Sequence, residues 1–192
     1  MHKLIKISFF SGIFVCITAI LVILVTYIYI KPNLPEISLV DESELQMPLK
    51  VFTKDGKLIG EFGEIKRRAT NYEEIPKDIK NAFLAAEDDN FFNHQGISYK
   101  GLIRSFIRCL RPNGCEGGGG TITMQVVRGY LLTRDQTVIR KIREIFLALE
   151  LEGISNKEEI FELYVNRIFL GNRSYGIEAA SNTYFDKGLE DL

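Results

Sequence analysis

The fold is decided by the stretch from Pro76 to Gly96, which reads PKDIKNAFLAAEDDNFFNHQG. Pro76 stands where a proline opens the first turn of a helix. Apolar residues at helical spacing then predict one buried stripe, formed by Ile79, Ala82, Phe83 and Ala86. Glu87, Phe91 and His94 follow at i, i+4 and i+7, so we expect them to share one face if the helix continues.

Glu87 extends this stripe, which places its carboxylate at the edge of an apolar wall. Desolvation there would raise the pKa of Glu87 and make it an effective general base near neutral pH. The alternative is a solvated acidic turn at a helix end, and the run Glu87-Asp88-Asp89 taken alone favours that alternative. His94 taken alone is more typical of a structural cap or a core residue than of a catalyst.

The N-terminal segment from Ile7 to Ile30 contains no charged residue. As a helix it would be about 36 Å long, enough to cross a hydrocarbon core of about 30 Å. Lys3 and Lys6 precede it and place the N-terminus in the cytoplasm by the positive-inside rule. We therefore expect an N-terminus with a membrane anchor over residues 1–31 (span 7–30), a proline-rich tether over 32–48, and an extracytoplasmic domain over 49–192.

Composition excludes several classes of protein. The chain is 46% hydrophobic and 26% charged, which excludes disorder. The first 31 residues hold three lysines and no acid, so the rest is net acidic and not a general nucleic-acid binder. Three cysteines are too few for a disulfide scaffold.

The sequence of the domain predicts a hairpin followed by helices. Two strands are predicted at Leu49–Thr53 and Lys57–Phe62, with Lys54-Asp55-Gly56 as the turn between them. A second and a third helix are predicted from two apolar sets: Leu102, Ile103, Phe106, Ile107 and Leu110, then Ile139, Ile142, Ile145, Phe146 and Leu149. A capping box from Ser155 to Glu158 predicts the start of a fourth.

Two further motifs point to an anionic ligand. Gly117–Gly120 lead into a helix capped by Thr121, and free backbone N–H groups at such a positive helix end suit a phosphate. A flexible connector is the alternative for glycines alone, and the Gly-Lys-Ser/Thr ending of a P-loop is missing. Arg140 and Glu144 have the spacing of an ordinary surface ion pair, but basic residues concentrate around them: Arg128, Arg134, Arg140, Lys141 and Arg143.

In this order and spacing the motifs resemble those of the peptidoglycan glycosyltransferases (glycosyltransferase family 51). These occur as monofunctional transglycosylases and as the polymerase domain of class A penicillin-binding proteins. The first family motif, Glu-Asp-x-x-Phe-x-x-His-x-Gly, is matched at Glu87, Asp88, Phe91, His94 and Gly96. The third, Arg-Lys-x-x-Glu, is matched at Arg140, Lys141 and Glu144. The fourth is similar to Lys157, Tyr164-Val165-Asn166 and Gly171, and the fifth to Gly176–Ala180 with Tyr184-Phe185.

The second motif, Gly-Gly-Ser-Thr-Ile/Leu-Thr-Gln-Gln, is matched at Gly118, Gly119, Thr121, Ile122, Thr123 and Gln125. Gly120 replaces its serine and Met124 its first glutamine. Arg128 and Gly129 stand where the family usually has a lysine and an asparagine. Arg128 keeps the positive charge in a different shape. The resemblance extends from about Val51 to Leu192.

Taken with the hairpin and the anchor, the resemblance implies a mainly α, lysozyme-like glycosyltransferase domain preceded by one transmembrane helix. It implies lipid II, a disaccharide-pentapeptide on a polyprenyl pyrophosphate, as the substrate. The implied reaction polymerises peptidoglycan glycan strands: the 4-hydroxyl of the acceptor lipid II attacks the anomeric carbon of the growing chain, which inverts as polyprenyl pyrophosphate leaves.

The resemblance also implies the site residues. Glu87 is the expected catalytic base, and Glu144 the expected second catalytic carboxylate, which orients Arg140 or holds a divalent cation (Mg²⁺ or Mn²⁺). The expected substrate-binding residues are Asp88, Phe91, His94, Thr121, Gln125, Arg128, Arg140, Lys141 and Asn166.

Expected partners are lipid II, the growing glycan strand, the membrane and cell-wall synthesis proteins such as a transpeptidase, but no nucleic acid. The expected location is the bacterial cytoplasmic membrane, with the domain on its periplasmic side. One alternative is a lysozyme-like glycan hydrolase, which also needs a carboxylic acid in an apolar site but has no need for clustered arginines. Another is a truncated, non-enzymatic protein that binds lipid II or a cell-wall assembly partner.

Two further expectations concern the C-terminus and a pair of cysteines. Family members continue beyond the Tyr184-Phe185 element, so we expect the domain to be incomplete at its C-terminus. Cys109 and Cys115 would lie in an oxidising space, and the turn between them suits a disulfide. Two free thiols are the favoured alternative, because the family motifs call for neither cysteine.

Overall fold

The computed structural model of this protein describes residues 2–37, 49–62, 70–109, 120–132 and 137–192. The chain divides into two compact units, residues 1–36 and 37–192. The first unit contains helix α1 (His2–Ile30) and a 3-10 turn at Lys31–Asn33. In the described part of the chain, no helix meets the combined length and apolarity of a membrane span, so the predicted anchor at 7–30 is not confirmed.

The second unit begins with a two-stranded antiparallel sheet. Strands β1 (Leu49–Phe52) and β2 (Leu58–Phe62) pair with Leu49 opposite Phe62, and the register shifts between Val51 and Phe52. Gly56 lies in the turn between them with a φ of +81°, a left-handed conformation that glycine adopts without a steric cost.

Helices make up most of the remaining described chain, which confirms the prediction of a mainly α fold. They are α2 (Lys77–Glu87), α3 (Tyr99–Cys109), α4 (Ile122–Leu131), α5 (Val138–Ile154), α6 (Lys157–Arg167) and α7 (Ile177–Phe185). Short 3-10 turns occur at Tyr72–Glu74, Phe91–Asn93 and Leu189–Asp191.

The core forms where α4 packs against α5 and α6. Its buried apolar side chains are Ile122, Met124, Val126 and Val127 from α4, Leu147, Ala148 and Leu151 from α5, and Ile160, Phe161 and Val165 from α6. Each large member stabilises the fold by about 1.5–3 kcal/mol relative to an exposed position. The three helices therefore form a rigid support for side chains that lie on their outer faces.

The predicted buried stripe on α2 is wrong. Ile79 and Phe83 are only half-buried, and Ala82 and Ala86 are exposed. The helix also ends at Glu87, because the next residue, Asp88, leaves the helical conformation with φ −159° and ψ 79°. Glu87, Phe91 and His94 therefore do not share one helical face, and Glu87 is solvent-exposed rather than set against an apolar wall.

The face that α5 buries is not the apolar stripe that its sequence predicts. Its buried residues are Glu144, Leu147, Ala148 and Leu151, whereas Ile139 and Leu149 are exposed and Ile142, Ile145 and Phe146 are half-buried. The capping box of α6 lies one residue later than predicted, since Asn156 and Glu159 exchange the two hydrogen bonds.

Several predictions fall on residues outside the described ranges. These include most of the tether at 32–48, the glycines at 117–119, Arg134 and Cys115. The proposed disulfide between Cys109 and Cys115 therefore stays a prediction.

Candidate active site

Glu87 lies at the last position of α2 with its side chain exposed. Gln125, one turn into α4, donates a hydrogen bond from Nε2 to Oε2 of Glu87 at 2.8 Å. This contact connects two of the predicted site residues across 38 positions of sequence. A carboxylate that is exposed and held by one neutral amide can still accept a proton from an approaching hydroxyl group.

Asp88 turns away from solvent and joins three segments of the chain. Its carboxylate oxygen Oδ2 lies 2.9 Å from Nε2 of His94 and accepts a hydrogen bond from the backbone N–H of Ile122 at 3.2 Å. The residue is buried, with 7% of its surface exposed. Because Ile122 opens α4, this negative charge also stabilises the positive end of that helix. Asp88 therefore connects His94 to the first turn of α4.

Thr121 caps α4, as the sequence predicted. Its hydroxyl accepts a hydrogen bond from the N–H of Met124 and donates one to the carbonyl of Gly96 at 2.6 Å. Gly96 itself lies against α5 with a φ of +77°, and a Cβ there would approach the carbonyl oxygen of Ala148 to 2.8 Å. The N-terminal end of α4 is thus closed by the chain's own groups, Thr121 and Asp88.

Glu144 is fully buried, yet it is held between two cations of its own helix. The guanidinium of Arg140 donates to Oε1 of Glu144, and the ammonium of Lys141 donates to Oε2 at 2.8 Å. Such charge-assisted bonds compensate for the desolvation of a buried carboxylate. The arrangement turns both cations toward the same side of α5.

This cationic cluster, defined as Arg128, Arg140 and Lys141, has capacity for a further anion. Burial first, then the charges of Arg128 and Arg140, lower the pKa of Lys141 to about 8. The buried Nε of Arg140 has no hydrogen-bond partner among the described residues. A Cβ on Gly120 would lie 3.6 Å from the Lys141 ammonium, so the end of the glycine run approaches the cluster. Two phosphate charges placed here would relieve the repulsion among the three cations.

A divalent cation does not fit at Glu144. Both of its carboxylate oxygens are already engaged by cations. In the described ranges, no cluster of three or more His, Cys, Asp or Glu side chains has the arrangement of a metal site. The geometry therefore favours the orienting role for Glu144 over the metal-binding role.

Two predicted site residues lie away from this group. Phe91 is 1% exposed and packs in the core, with the ammonium of Lys157 4.4 Å from its ring centroid. Asn166 is also buried, and its amide pairs with the backbone of Thr70 through bonds of 2.9 and 3.0 Å. Both side chains are buried in the fold. In contrast, Glu87 and Arg128 are exposed, and Gln125 and the other two members of the cationic cluster are half-buried.

Tyr164 is a further candidate for the site, which the sequence motifs contained but did not single out. It is 3% exposed on α6, and its ring lies edge-on to Phe83 with 6.0 Å between centroids. Burial and then the charge of Glu87 raise its pKa, while the charge of Arg128 acts in the opposite direction. Its position within the fourth motif, two residues before Asn166, was the available signal.

Comparison with known proteins agrees with the motifs. The family model described as "Transglycosylase" matches residues 55–192. Penicillin-binding protein 1A of Pseudomonas aeruginosa is 48% identical over 181 residues, which is 92% of this chain and 22% of that protein. Penicillin-binding protein 1A of Haemophilus influenzae is 47% identical over 151 residues, or 79% of this chain and 18% of that protein.

The chain thus spans about a fifth of the length of these relatives. This chain also aligns with the crystal structure of penicillin-binding protein 1A from Haemophilus influenzae at 30% sequence identity. The aligned region covers 78% of this chain and 13% of the chain in that crystal structure. Its TM-score of 0.34 is too low to support a statement about the fold.

Proposed function

Because this chain belongs to the transglycosylase family, we propose that it polymerises peptidoglycan glycan strands from lipid II. The reaction is an inverting glycosyl transfer that releases polyprenyl pyrophosphate. Under this proposal the chain is an enzyme, and the two motif carboxylates Glu87 and Glu144 have separate tasks.

The observation that carries the proposal is the pairing of an accessible base with a cationic cluster. Glu87 is exposed beside Gln125, and Arg128 follows three positions later on the same helix, so Gln125 and Arg128 share one face of α4. The charge of Arg128 affects the pKa of Lys141 in the cluster. It also affects the pKa of Tyr164, on which the charge of Glu87 acts as well. Helix α4 therefore connects the base to the anion site.

In the proposed mechanism, Glu87 accepts the proton of the 4-hydroxyl as the acceptor attacks the anomeric carbon. Negative charge develops on the departing pyrophosphate, and the Arg140 and Lys141 donors lie where Glu144 has already oriented them. Donors fixed before the reaction stabilise this charge without further reorganisation. Attack and departure on opposite faces of the sugar account for inversion.

The geometry favours transfer over the hydrolase alternative. Glycan hydrolysis uses two carboxyl groups that flank the scissile bond. Glu144, the second carboxylate predicted, is 0% exposed and has both oxygens engaged. It is not available to flank a sugar, whereas the cations that it orients suit a pyrophosphate leaving group.

Attachment to a membrane is proposed on the sequence and on the surface of α1. The stretch from Ile7 to Ile30 lacks charged residues, and several of its large apolar side chains are exposed: Phe10, Phe14, Ile17, Ile20 and Ile28. We infer a single-pass anchor with the domain on the periplasmic face, a tether at 32–48 and a lysozyme-like domain at 49–192. A transpeptidase is the expected partner in cell-wall synthesis, since the relatives are penicillin-binding proteins.

The test uses fluorescently labelled lipid II and the full chain in detergent, with polymer, monomer and cleaved glycan separated on a gel. The proposal expects polymer from the wild-type chain and far slower polymerisation by Glu87→Gln. Release of glycan fragments from preformed strands would support the hydrolase instead. Binding of lipid II without any product would support the non-enzymatic alternative.

A further inference from the structure

Tyr164 carries a buried hydroxyl group that the fold leaves without a partner. Its oxygen has no hydrogen-bond partner among the described residues, and the residue is 3% exposed. Native structures rarely bury a hydroxyl group unsatisfied, because it loses its bonds to water and gains nothing in return. A buried hydroxyl group without a partner therefore calls for an explanation, and a role in catalysis is one such explanation.

The surroundings of Tyr164 indicate which contact this is. Its ring packs on Phe83, which lies one helical turn before Glu87 on α2. The charges that act on its hydroxyl are Glu87 from α2 and Arg128 from α4. Arg128 has no acceptor atom, so the carboxylate of Glu87 is the charged neighbour to which a phenol can donate.

Glu87 is able to make this contact. Its side chain is exposed at the end of α2, and the known bond from Gln125 engages only Oε2. A change of side-chain rotamer at an exposed position occurs within nanoseconds and needs no movement of the backbone. The second oxygen, Oε1, is therefore the acceptor that such a rotation would present to the phenol.

We propose that Tyr164 is a positioning residue for Glu87, and that its hydroxyl donates a hydrogen bond to the Glu87 carboxylate when the side chain of Glu87 turns toward α6. The bond aligns the base with the incoming hydroxyl group and favours its charged form. This inference deepens the proposed function, because it rests on Glu87 as the base. Of the cationic cluster, the charge of Arg128 acts on Tyr164, whereas the charges of Arg128 and Arg140 act on Lys141.

The test compares Tyr164→Phe with a matched control, Tyr130→Phe. Tyr130 lies on α4, and its hydroxyl donates to the carbonyl of Leu163 at 3.4 Å, so the control removes a hydroxyl that has a partner in the fold. In the full chain with ¹³C-labelled glutamate, the Glu87 carboxyl is titrated by NMR. We expect Tyr164→Phe to raise the Glu87 pKa by about one unit and Tyr130→Phe to leave it unchanged.

We expect the stability of the two variants to rank in the opposite order, so that a loss of stability cannot account for the effect of Tyr164→Phe on Glu87. Tyr164→Phe deletes an unsatisfied buried group, so its urea midpoint should equal or exceed that of the wild type, whereas Tyr130→Phe should lower it. In the polymerisation assay, Tyr164→Phe should reduce kcat by about tenfold with little change in KM and move the acidic limb to higher pH.

Identical Glu87 titrations in wild type and Tyr164→Phe would overturn the inference. A wild-type chain without polymerisation would count against the proposed function, while the titration would still decide the role of Tyr164.

Discussion

Glu87 and Glu144 are both motif carboxylates, yet the fold places them in opposite surroundings. Glu87 is exposed at the end of α2 and, among the described residues, is held by the neutral amide of Gln125. Glu144 is 0% exposed in the middle of α5 and is held by two cations. An exposed carboxylate can exchange protons with a substrate, whereas a buried and doubly paired one acts mainly by fixing the groups around it.

The first way to test this contrast is Glu87→Gln. The amide cannot accept the proton of the attacking hydroxyl, so the polymerisation rate should fall by about 10²–10⁴ while the fold is retained. Gel-based polymerisation of labelled lipid II measures the rate. The control is Asp89→Asn, which neutralises another exposed carboxyl two positions away and should leave the rate near that of the wild type. Residual polymerisation above one-tenth of the wild-type rate would remove Glu87 from the mechanism.

Glu144→Gln tests the other side of the contrast through stability. The amide turns an N–H donor toward one of the two cations, so we expect the free energy of unfolding to fall by about 3–5 kcal/mol. Urea denaturation measures this loss. Glu150→Gln, at an exposed position on the same helix, should change it by about 0.5 kcal/mol or less. Equal stability of both variants would mean that the buried carboxylate does not anchor the cationic cluster.

Arg140→Ala tests the anion site itself. Loss of one charge-assisted contact should weaken binding of farnesyl pyrophosphate, a short polyprenyl pyrophosphate, by about 1.5–3 kcal/mol. Calorimetry at constant salt gives the affinity, and Arg104→Ala, an exposed arginine on α3, is the control. If both variants bind the probe like the wild type, the leaving group is held elsewhere.

The smallest expected effect is a pH dependence from Lys141. Its pKa is about 8 against an ordinary 10.5, so the folded ammonium loses its proton first. Affinity for farnesyl pyrophosphate should therefore fall as pH rises from 7 to 9, by about fivefold or less because the side chain is partly exposed. Stability should move the other way: between pH 8 and 10 the unfolded chain binds more protons, so the fold gains stability.

Lys141→Met is the control for both trends, since it removes the titrating group. A variant that keeps the same pH dependence of binding would assign the titration to another residue.

The sequence predicted the order of the helices and the Thr121 cap, because these depend on signals within a few residues. It did not predict where α2 ends. That end depends on Asp88, whose carboxylate bonds to the N–H of Ile122, 34 positions away. Contacts of this range leave no periodic trace in the local sequence. For this reason the prediction that Glu87 lies against an apolar wall was wrong.

The burial of Glu144 was likewise not predictable from hydropathy. A pattern of apolar residues assigns a glutamate to the solvent face, and the most apolar residues of α5 predicted a stripe that excludes it. Arg140 and Lys141, at i−4 and i−3, supply the compensating charge from the same helix. The family motif named all three residues, but the burial of Glu144 follows from the packing of α5 against α4.

The division of labour between the carboxylates is tested most directly by measuring lipid II binding and turnover separately in Glu87→Gln and Glu144→Gln. Binding is measured by fluorescence anisotropy of labelled lipid II, and turnover by polymer formed at saturating substrate. We expect Glu87→Gln to bind lipid II like the wild type but to form polymer about 10²–10⁴ times more slowly. We expect folded Glu144→Gln to bind lipid II more weakly. Normal binding by Glu144→Gln, or polymerisation by Glu87→Gln above one-tenth of the wild-type rate, would contradict the assignment.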